Sequence, residues 1–413
     1  MGISGGPNLN QDGLVFLYDV FDQDNSYKGE PATNSQNADI SSMTQVGFDN
    51  WSCYDGSPPY HTWGTNQSKT FVTIPGPFGT SVNAMLYHNF NGGFYGPTDW
   101  GAVPNGTITA GRTYTVQGWV RAADSSSIGK TVTPYTYYSH SGGAYSAGTN
   151  YTLTDQWQLV SHTHTAQYNA SGDGVMYFFT QNSGEVKMHL TMTGVFLDES
   201  HAVQWLLGGT TRSATQGLLD VAGANQIDLT NVSFDSNAQI LFDGTNDYIN
   251  IGSGTGINQF SGNFTISLWA MRTAGGNYGN LIGDYYTNST GTTGEWQIMM
   301  GPSSELNLYK VGSGYIISNI ASGFSNNTWI NVVVTRLGNL VTMYANSNVI
   351  ATGSDSTSYG TVTGNLNIGI DGNNSSEPFP GNIASISIYK NRALSAQEVL
   401  QNYNATKSRF SLK

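Results

Sequence analysis

The chain has 413 residues, of which 38% are hydrophobic, 12% aromatic and only 10% charged, which excludes both a disordered chain and a single small domain. Fifteen Lys and Arg stand against 27 Asp and Glu, a net charge of -12, with no basic cluster. That argues against nucleic acid as a partner, since phosphate binding needs clustered cations.

The charged fraction lies well below the usual quarter, so Asn, Ser, Thr, Gln and Gly must build the polar surface. That palette suits strands and turns better than long helices. The single cysteine, Cys53, cannot form an intrachain disulfide and reads as a small buried hydrophobe. The opening "MGISGGPNLNQDG" has neither a basic n-region nor an apolar h-region. The expectation is therefore no signal peptide and synthesis in a host cytoplasm. No apolar run is long enough to span a bilayer, so membrane insertion is not expected.

In chain order, residues 1–40 hold one apolar strand-like run, Leu14 to Tyr18, then polar residues and a Gly-Glu-Pro break. A lone apolar strand needs another sheet to cover it. This segment is expected to be an extended arm, docked on its own chain or on a partner. Residues 41–207 alternate as in an all-β domain, clearest in "TYTVQGWVRA" (Thr113 to Ala122) and "QWQLVSHTHT" (Gln156 to Thr165). Short spacing between turn residues argues for a sandwich or jelly roll. Residues 208–235 read as a linker able to lend a strand or two to the C-terminal domain.

Residues 236–413 show successive strand signals, among them "FTISLWAMR", "EWQIMMG", "ELNLYKV", "WINVVVTRL", "NLNIGI" and "NIASISIYK". They predict a sheet-on-sheet sandwich. A helix then begins at Ser395, with Glu398 three residues on as a capping box and Leu394 and Val399 as a hydrophobic staple. Val399, Leu400 and Tyr403 are expected to line its packed face, and Asn404 to stop it. The fold class is thus all-β: two tandem jelly-roll or β-sandwich domains, an N-terminal extended arm and a short C-terminal helix.

The last domain resembles the laminin-G-like, concanavalin-A-like jelly rolls. The resemblance is carried by "FDGTNDYINIG" (Phe242 to Gly252), "FTISLWAM" (Phe264 to Met271), "WINVVVTR" (Trp329 to Arg336) and "PFPGNIASISIYKNRALSAQEVLQNYNA" (Pro378 to Ala405). The middle domain is similar to jelly-roll carbohydrate-binding modules through "FDNWSCYDG", "ITAGRTYTVQGWVRA", "WQLVSHTHTA" and "MTGVFLDES". The C-terminal motif, with "DGLVFLYD" and "GEPATN", resembles bacteriophage virion proteins that carry such domains on fibres, tails or capsid decorations.

Glycoside hydrolysis requires paired carboxylates at a set separation. Related glucanases place them in a Glu-x-Asp-x-x-Glu strand. Here Glu295 is followed by "WQIMM" and Glu305 by "LNLYK", so no enzyme activity is expected. His162 and His164 alternate on one strand; they read as packed or solvent-facing imidazoles, with a metal pair as the other reading. Trp51, Tyr54, Tyr60, Trp63, Tyr95, Trp100, Tyr135, Tyr137 and Tyr138 are the candidate sugar-stacking residues, with core packing or a subunit interface as the competing role. The two resemblances imply Ca2+ as the candidate cation, with Asp49, Asp198, Asp243, Asp247 and Asp371 as its oxygen donors. The competing role for these is ordinary turn formation.

The leading expectation is a non-enzymatic phage virion component on the particle surface, a homo-oligomer with a trimer favoured, contacting other virion proteins and cell-surface glycan. The alternatives are a carbohydrate-binding protein of a bacterial surface or secreted system, and a glycan depolymerase.

Overall fold

The computed structural model describes residues 9–34, 36, 52–54, 67–90, 92–100, 107–138, 144–171, 174–199, 201–204, 206, 210–223, 225–234, 240–253, 256–285, 293–321, 325–360 and 365–410. The fold is all-β with one C-terminal α-helix, as the strand alternation predicts. The chain divides into two compact units. One combines Met1–Pro31, Ser213–Asp235 and Gln239–Lys413; the other is built on Ala32–Arg212. The boundaries therefore fall after Pro31 and Arg212, where sequence spacing suggests 40 and 207. The segment read as an arm and the segment read as a linker both belong to the C-terminal unit.

The C-terminal unit is a sandwich of an eight-stranded and a seven-stranded sheet. At the heart of the larger sheet lies the closing strand Pro380–Lys390. One side of it pairs with Phe264–Arg272. The other side is shared: Ile240–Asp243 takes Pro380 and Gly381, and Leu14–Asp19 takes Ser385 to Tyr389. Phe16 and Tyr18 point inward and are fully buried among Ile266, Leu268, Ile386 and Ile388. The N-terminal strand thus fills a gap in a sheet otherwise built more than 200 residues downstream.

The helix Ala396–Thr406 begins at Ser395 with the capping box in place: Ser395 N donates to Glu398 Oε2 (2.8 Å) and Glu398 N to Ser395 Oγ (3.3 Å). Leu394 and Val399 pack with Val333, Tyr344 and Tyr389. The buried face runs Val399, Asn402 and Thr406, while Leu400 is 45% exposed. Leu400 sits one position off that face. The helix passes Asn404 and tightens into a 3-10 turn, Lys407–Phe410. There Phe410 stacks on Trp269 at 4.1 Å and meets Phe21 edge-on at 5.2 Å. The N-terminal strand is stitched to the helix as well: Asn10 N donates to Asn402 Oδ1 (2.9 Å), Asn10 Nδ2 to Glu398 Oε1 (2.8 Å), and Arg409 pairs with Asp19.

A buried ion pair joins the two sheets at one edge. Lys310 ends a strand of the seven-stranded sheet, and Asp355 comes just after a strand of the eight-stranded one; Nζ and Oδ2 lie 3.1 Å apart. The Tyr359 ring lies 5.1 Å from Lys310 Nζ and 5.4 Å from the Arg336 guanidinium.

The middle unit is a second sandwich. Its six-stranded sheet runs Ala144–Ala147, Thr131–Tyr138, Gly174–Ser183, Gly92–Trp100, Ser52–Tyr54, with Tyr151–Thr152 beside Thr131–Tyr138. Its five-stranded sheet runs Gln158–Thr165, Thr113–Ala122, Val186–Leu197, Ser81–Asn89, Gln67–Pro75. Met85, Tyr87, Val116, Phe178 and Leu190 form the core. Gln117 holds the segment after the last strand, its side-chain amide exchanging two 3.0 Å hydrogen bonds with the Val203 backbone.

Phe16→Ala is expected to cost the C-terminal unit about 3–5 kcal/mol, the usual loss for a fully buried phenylalanine. Scanning calorimetry should show one transition moving down while that of the middle unit stays in place. A variant melting like the native chain would mean that the N-terminal strand is dispensable. Asp355→Ala leaves Lys310 charged and buried, so a loss of about 3–5 kcal/mol is expected in a urea titration.

Candidate functional site

The seven-stranded sheet of the C-terminal unit runs Asp228–Asn231, Tyr248–Ser253, Asn365–Ile368, Gly279–Gly283, Trp296–Met300, Glu305–Lys310, Gly314–Ala321. The strands Asn365–Ile368, Trp296–Met300 and Glu305–Lys310 alternate. Trp296, Ile298, Met300, Leu306, Leu308, Leu366 and Ile368 enter the core. Gln297, Met299, Asn307, Tyr309 and Asn367 therefore face outward. The register sets them in a row: Asn250 pairs with Asn367, Asn367 with Gly283, Gly283 with Gln297, Gln297 with Tyr309, and Tyr309 with Tyr315. Gly283 is the notch in that row. A Cβ there would collide with the Trp296 carbonyl and the Gln297 backbone.

Outward polar residues on a sheet are ordinarily wet, yet Asn280, Gln297, Asn307 and Asn367 are all buried. The loop Asp371 to Phe379 ties down part of this face. Asn367 Nδ2 donates to the Asp371 carbonyl (2.7 Å) and to Asn374 Oδ1 (2.6 Å), and Asn280 N donates to the Glu377 carbonyl (2.8 Å). Asn374 and Glu377 both sit at positive φ, 59° and 56°. For a glutamate that is a strained backbone, held by its surroundings.

These bonds leave four buried oxygens without a partner: Asn280 Oδ1, Gln297 Oε1, Asn367 Oδ1 and Glu377 Oε2. A buried polar atom without a partner costs about 1–3 kcal/mol, and among the described residues these four oxygens have none. Beside them runs an aromatic file. Tyr285 meets Tyr309 edge-on at 4.9 Å and Tyr309 meets Tyr315 at 5.1 Å, with Tyr315 51% exposed. Burial pushes the Glu377 carboxyl above the ordinary carboxylate range; a hydrogen bond from Gln297 opposes this and the charge of Asp371 adds to it. Burial, with Tyr309 and Glu377 nearby, pushes the Tyr285 hydroxyl up to about 12.

The aromatic residues singled out from sequence lie in the middle unit. Trp51, Tyr60 and Trp63 fall outside the described residues, as does Asp49. Tyr54, Tyr95, Trp100, Tyr135, Tyr137 and Tyr138 all lie on the six-stranded sheet. Val175 pairs with both Trp100 and Tyr137, so those two flank it across three strands. The half-buried Tyr135 ring meets Phe179 edge-on at 5.2 Å. The rings of Tyr54, Tyr95, Trp100, Tyr137 and Tyr138 fall outside the described side chains.

Among the acidic residues, Asp198 pairs with Arg112 at 2.9 Å. Asp247 Oδ2 accepts from Asp243 N (2.9 Å), and Asp243 Oδ1 accepts from Thr245 N (2.7 Å). Asp371 Oδ1 accepts from Ser375 N (2.8 Å) and Ser376 N (3.1 Å). The bonds of Asp243, Asp247 and Asp371 close turns. Among the described residues no group of three or more His, Cys, Asp or Glu is placed to hold a metal. His162 and His164 lie face to face at 6.3 Å, and His162 Nε2 bonds Ser146 Oγ at 2.8 Å. Burial lowers the pKa of both.

Residues 243–400 match the model of a laminin-G-like family described as the concanavalin A-like lectin/glucanases superfamily. Over those residues the C-terminal unit is similar to that superfamily. That agrees with the resemblance read from its four motifs. No curated protein matches the sequence. Among solved structures, the chain is similar to the binding domain of botulinum neurotoxin serotype D, at 16% identity over 46% of this chain and 49% of that one, TM-score 0.36. It is similar to domain 4 of the extracellular arabinanase AbnA from Geobacillus stearothermophilus, solved with arabinotriose, at 13% identity over 46% and 93%, TM-score 0.36. It is also similar to the carbohydrate-binding module of the Ruminococcus gnavus IT-sialidase, bound to α2,3-sialyllactose, at 14% identity over 37% and 91%, TM-score 0.31. The chain spans about half the length of the first structures it matches, 48% and 49%. None of these comparisons supports a phage origin.

The residues of the lectin-like site that sequence reasoning passed over are Asn280, Gln297, Asn367, Glu377, Tyr285, Tyr309 and Tyr315. For Gln297, Tyr309 and Asn367 the signal was present: "WQIM", "LNLY" and "NLNI" each alternate an inward apolar residue with an outward polar or aromatic one. What sequence could not supply was the loop that shields them.

A group whose folded pKa is raised contributes its full stability below the unfolded pKa, and that share is lost as pH rises through the folded value. Glu377→Gln removes the titrating group. The variant should match the native protein at about pH 3 and gain on it as pH rises towards about pH 8. Melting temperatures across that range check this; a constant offset would mean that Glu377 is not held above its ordinary range.

Proposed function

We propose that the protein is a non-enzymatic glycan-binding protein, and that the lectin-like domain holds sugar on the outer face of its seven-stranded sheet. The observation that carries this reading is the Tyr285–Tyr309–Tyr315 file, with Tyr315 51% exposed, beside the amide-rich face of Asn280, Gln297 and Asn367. Sugar hydroxyls hydrogen-bond well to a surface of that composition. The C–H faces of a pyranose stack on tyrosine rings, and Tyr315 is the ring best presented to do so. A sugar's uncharged hydroxyls suit a face built from amides and phenols.

Support for a binding role over hydrolysis comes from the residues themselves. Hydrolysis needs two carboxylates flanking the bond to be cut. On this face Glu377 is the carboxyl set among the tyrosines, while Asp371 accepts two backbone N–H groups of its own loop. Oxygen donors of this type also suit Ca2+, which takes six to eight of them.

The test is a glycan array on the full chain, followed by calorimetric titration of the best neutral ligand with and without chelator. Tyr315→Ala is expected to weaken binding about tenfold, the loss of about 1–2 kcal/mol of stacking. Gln297→Leu should weaken it further by leaving a sugar hydroxyl unpaired. An array without hits, or affinities untouched by both substitutions, would sink the reading. Loss of binding with chelator would assign the oxygens to a cation that itself holds the sugar.

A second reading is a phage virion component on the particle surface. It rests on the resemblance of "LSAQEVLQNYNATKSRF", "DGLVFLYD" and "GEPATN" to virion proteins. Light scattering on the purified chain tests it: a stable trimer is expected, and a monomer at all concentrations would remove it.

A further inference from the structure

The five-stranded sheet of the middle unit has an outward face of its own. Thr113–Ala122 is its second strand, and Val116 and Val120 point into the core while Trp119 and Arg121 point out. The register places Arg121 beside His189 and Trp119 beside both Leu159 and Thr191. Trp157, just before the strand Gln158–Thr165, lies against Arg121, its ring centroid 4.8 Å from the guanidinium carbon. The turn between Gln67–Pro75 and Ser81–Asn89 reaches the same place. Trp157 Nε1 donates to the Pro75 carbonyl at 2.9 Å, and Phe78 meets Trp119 edge-on at 5.4 Å while remaining 53% exposed. Three aromatic rings therefore share this face with one guanidinium.

That guanidinium is unspent. Arg112 pairs with Asp198, and Lys187 pairs with Asp124 and Glu185. The Arg121 side chain makes no hydrogen bond or ion pair with any described residue, and its Nε is enclosed without a partner. His189 Nδ1 is likewise enclosed and unpartnered. Burial, then the charge of Arg121, lowers the His189 pKa to about 4, so near neutral pH the imidazole adds no second cation. A stacked guanidinium keeps its N–H edge free for a planar oxyanion, the fork geometry that matches a carboxylate.

We propose that this face of the middle unit binds a carboxylate-bearing sugar, a uronate or sialate, with Arg121 on the carboxylate and Trp119, Phe78 and Trp157 against the ring. One cation without partners fits one carboxylate per ligand. A polyanion such as nucleic acid or a run of acidic residues needs several cations and would be repelled by a chain of net charge -12. The aromatic rings demand an apolar face beside the charge, which a pyranose supplies. This site is independent of the glycan face proposed for the lectin-like domain: it lies in the other unit, on other residues, and reads charge where that one reads hydroxyls.

The experiment is calorimetric titration of the full chain with oligosaccharides of galacturonate, glucuronate and mannuronate and with sialyllactose, each beside its carboxyl-reduced counterpart. At least one acidic sugar should bind, and its reduced form about tenfold or more weaker. Arg121→Gln should bring the acid down to the level of the reduced form, with Arg121→Lys intermediate and affinity falling as salt rises. Phe78→Ala, a change at an exposed turn, should weaken both forms. Gln297→Leu in the lectin-like domain should leave this binding unchanged, and Arg121→Gln should leave neutral-glycan binding there unchanged, so failure of one site does not count against the other. Circular dichroism and the melting transition of each variant confirm that it folds. No binding by any acidic sugar, equal binding of acid and reduced forms, affinity untouched by Arg121→Gln, or stronger binding of an oligoaspartate than of any sugar would each overturn the proposal.

Discussion

The structure depends on one strand having two neighbours on the same side. Pro380–Lys390 is paired along one edge by Phe264–Arg272, but its other edge is divided between Ile240–Asp243 and Leu14–Asp19. Without the N-terminal strand, the backbone from Ser385 to Tyr389 would have an open edge and the core would lose Phe16 and Tyr18. Unpaired edges invite other strands, and buried aromatics dominate core energetics. The lectin-like unit is therefore complete only once its first and last strands, at opposite ends of the chain, have met. Such long-range pairing is slow, because loop closure must precede any reward from contact. The middle unit lies within that loop, and its own folding shortens the search by making much of the loop compact.

The same unit shows where stability gives way to a task. The core is apolar and continuous, and the Lys310–Asp355 pair that joins the sheets has Tyr359, Ser313 and Thr357 around it. Across the seven-stranded sheet the logic reverses. Asn280, Gln297 and Asn367 are enclosed with acceptor oxygens left over, and Glu377 is held at positive φ with a buried carboxyl. Each feature costs free energy in the isolated protein. Together they lie beside three tyrosines. Local conflict of this kind, within a fold otherwise consistent at every level, is what the glycan-binding proposal builds on.

Much of this was legible in the residues. Ser395 and Glu398 announce a capping box because the chemistry of a helix start is local, and the structure has both of its hydrogen bonds. The strands from Phe264 to Lys390 come from period-two alternation, which depends only on neighbouring residues. Periodicity puts Leu400 on the packed face because it tolerates an error of one position, whereas the fit against Tyr389 and Trp269 does not. The tyrosines and amides of the lectin-like site were visible as outward positions. The burial of the amides was not, since a residue's exposure depends on which distant loop crosses it.

What the sequence by itself determined is the class of fold, the segments that become strand and helix, and the laminin-G-like character of residues 243–400. These arise from propensity, alternation and capping, interactions that span a few residues. Only the tertiary structure decided that the first strand closes the last sandwich, that Arg121 stacks on Trp157 with no acid beside it among the described residues, and that Asn280, Gln297, Asn367 and Glu377 keep oxygens without a described partner. Those outcomes rest on register between strands far apart in the chain. Register is set by the sum of side-chain packing over a whole sheet rather than by any single stretch.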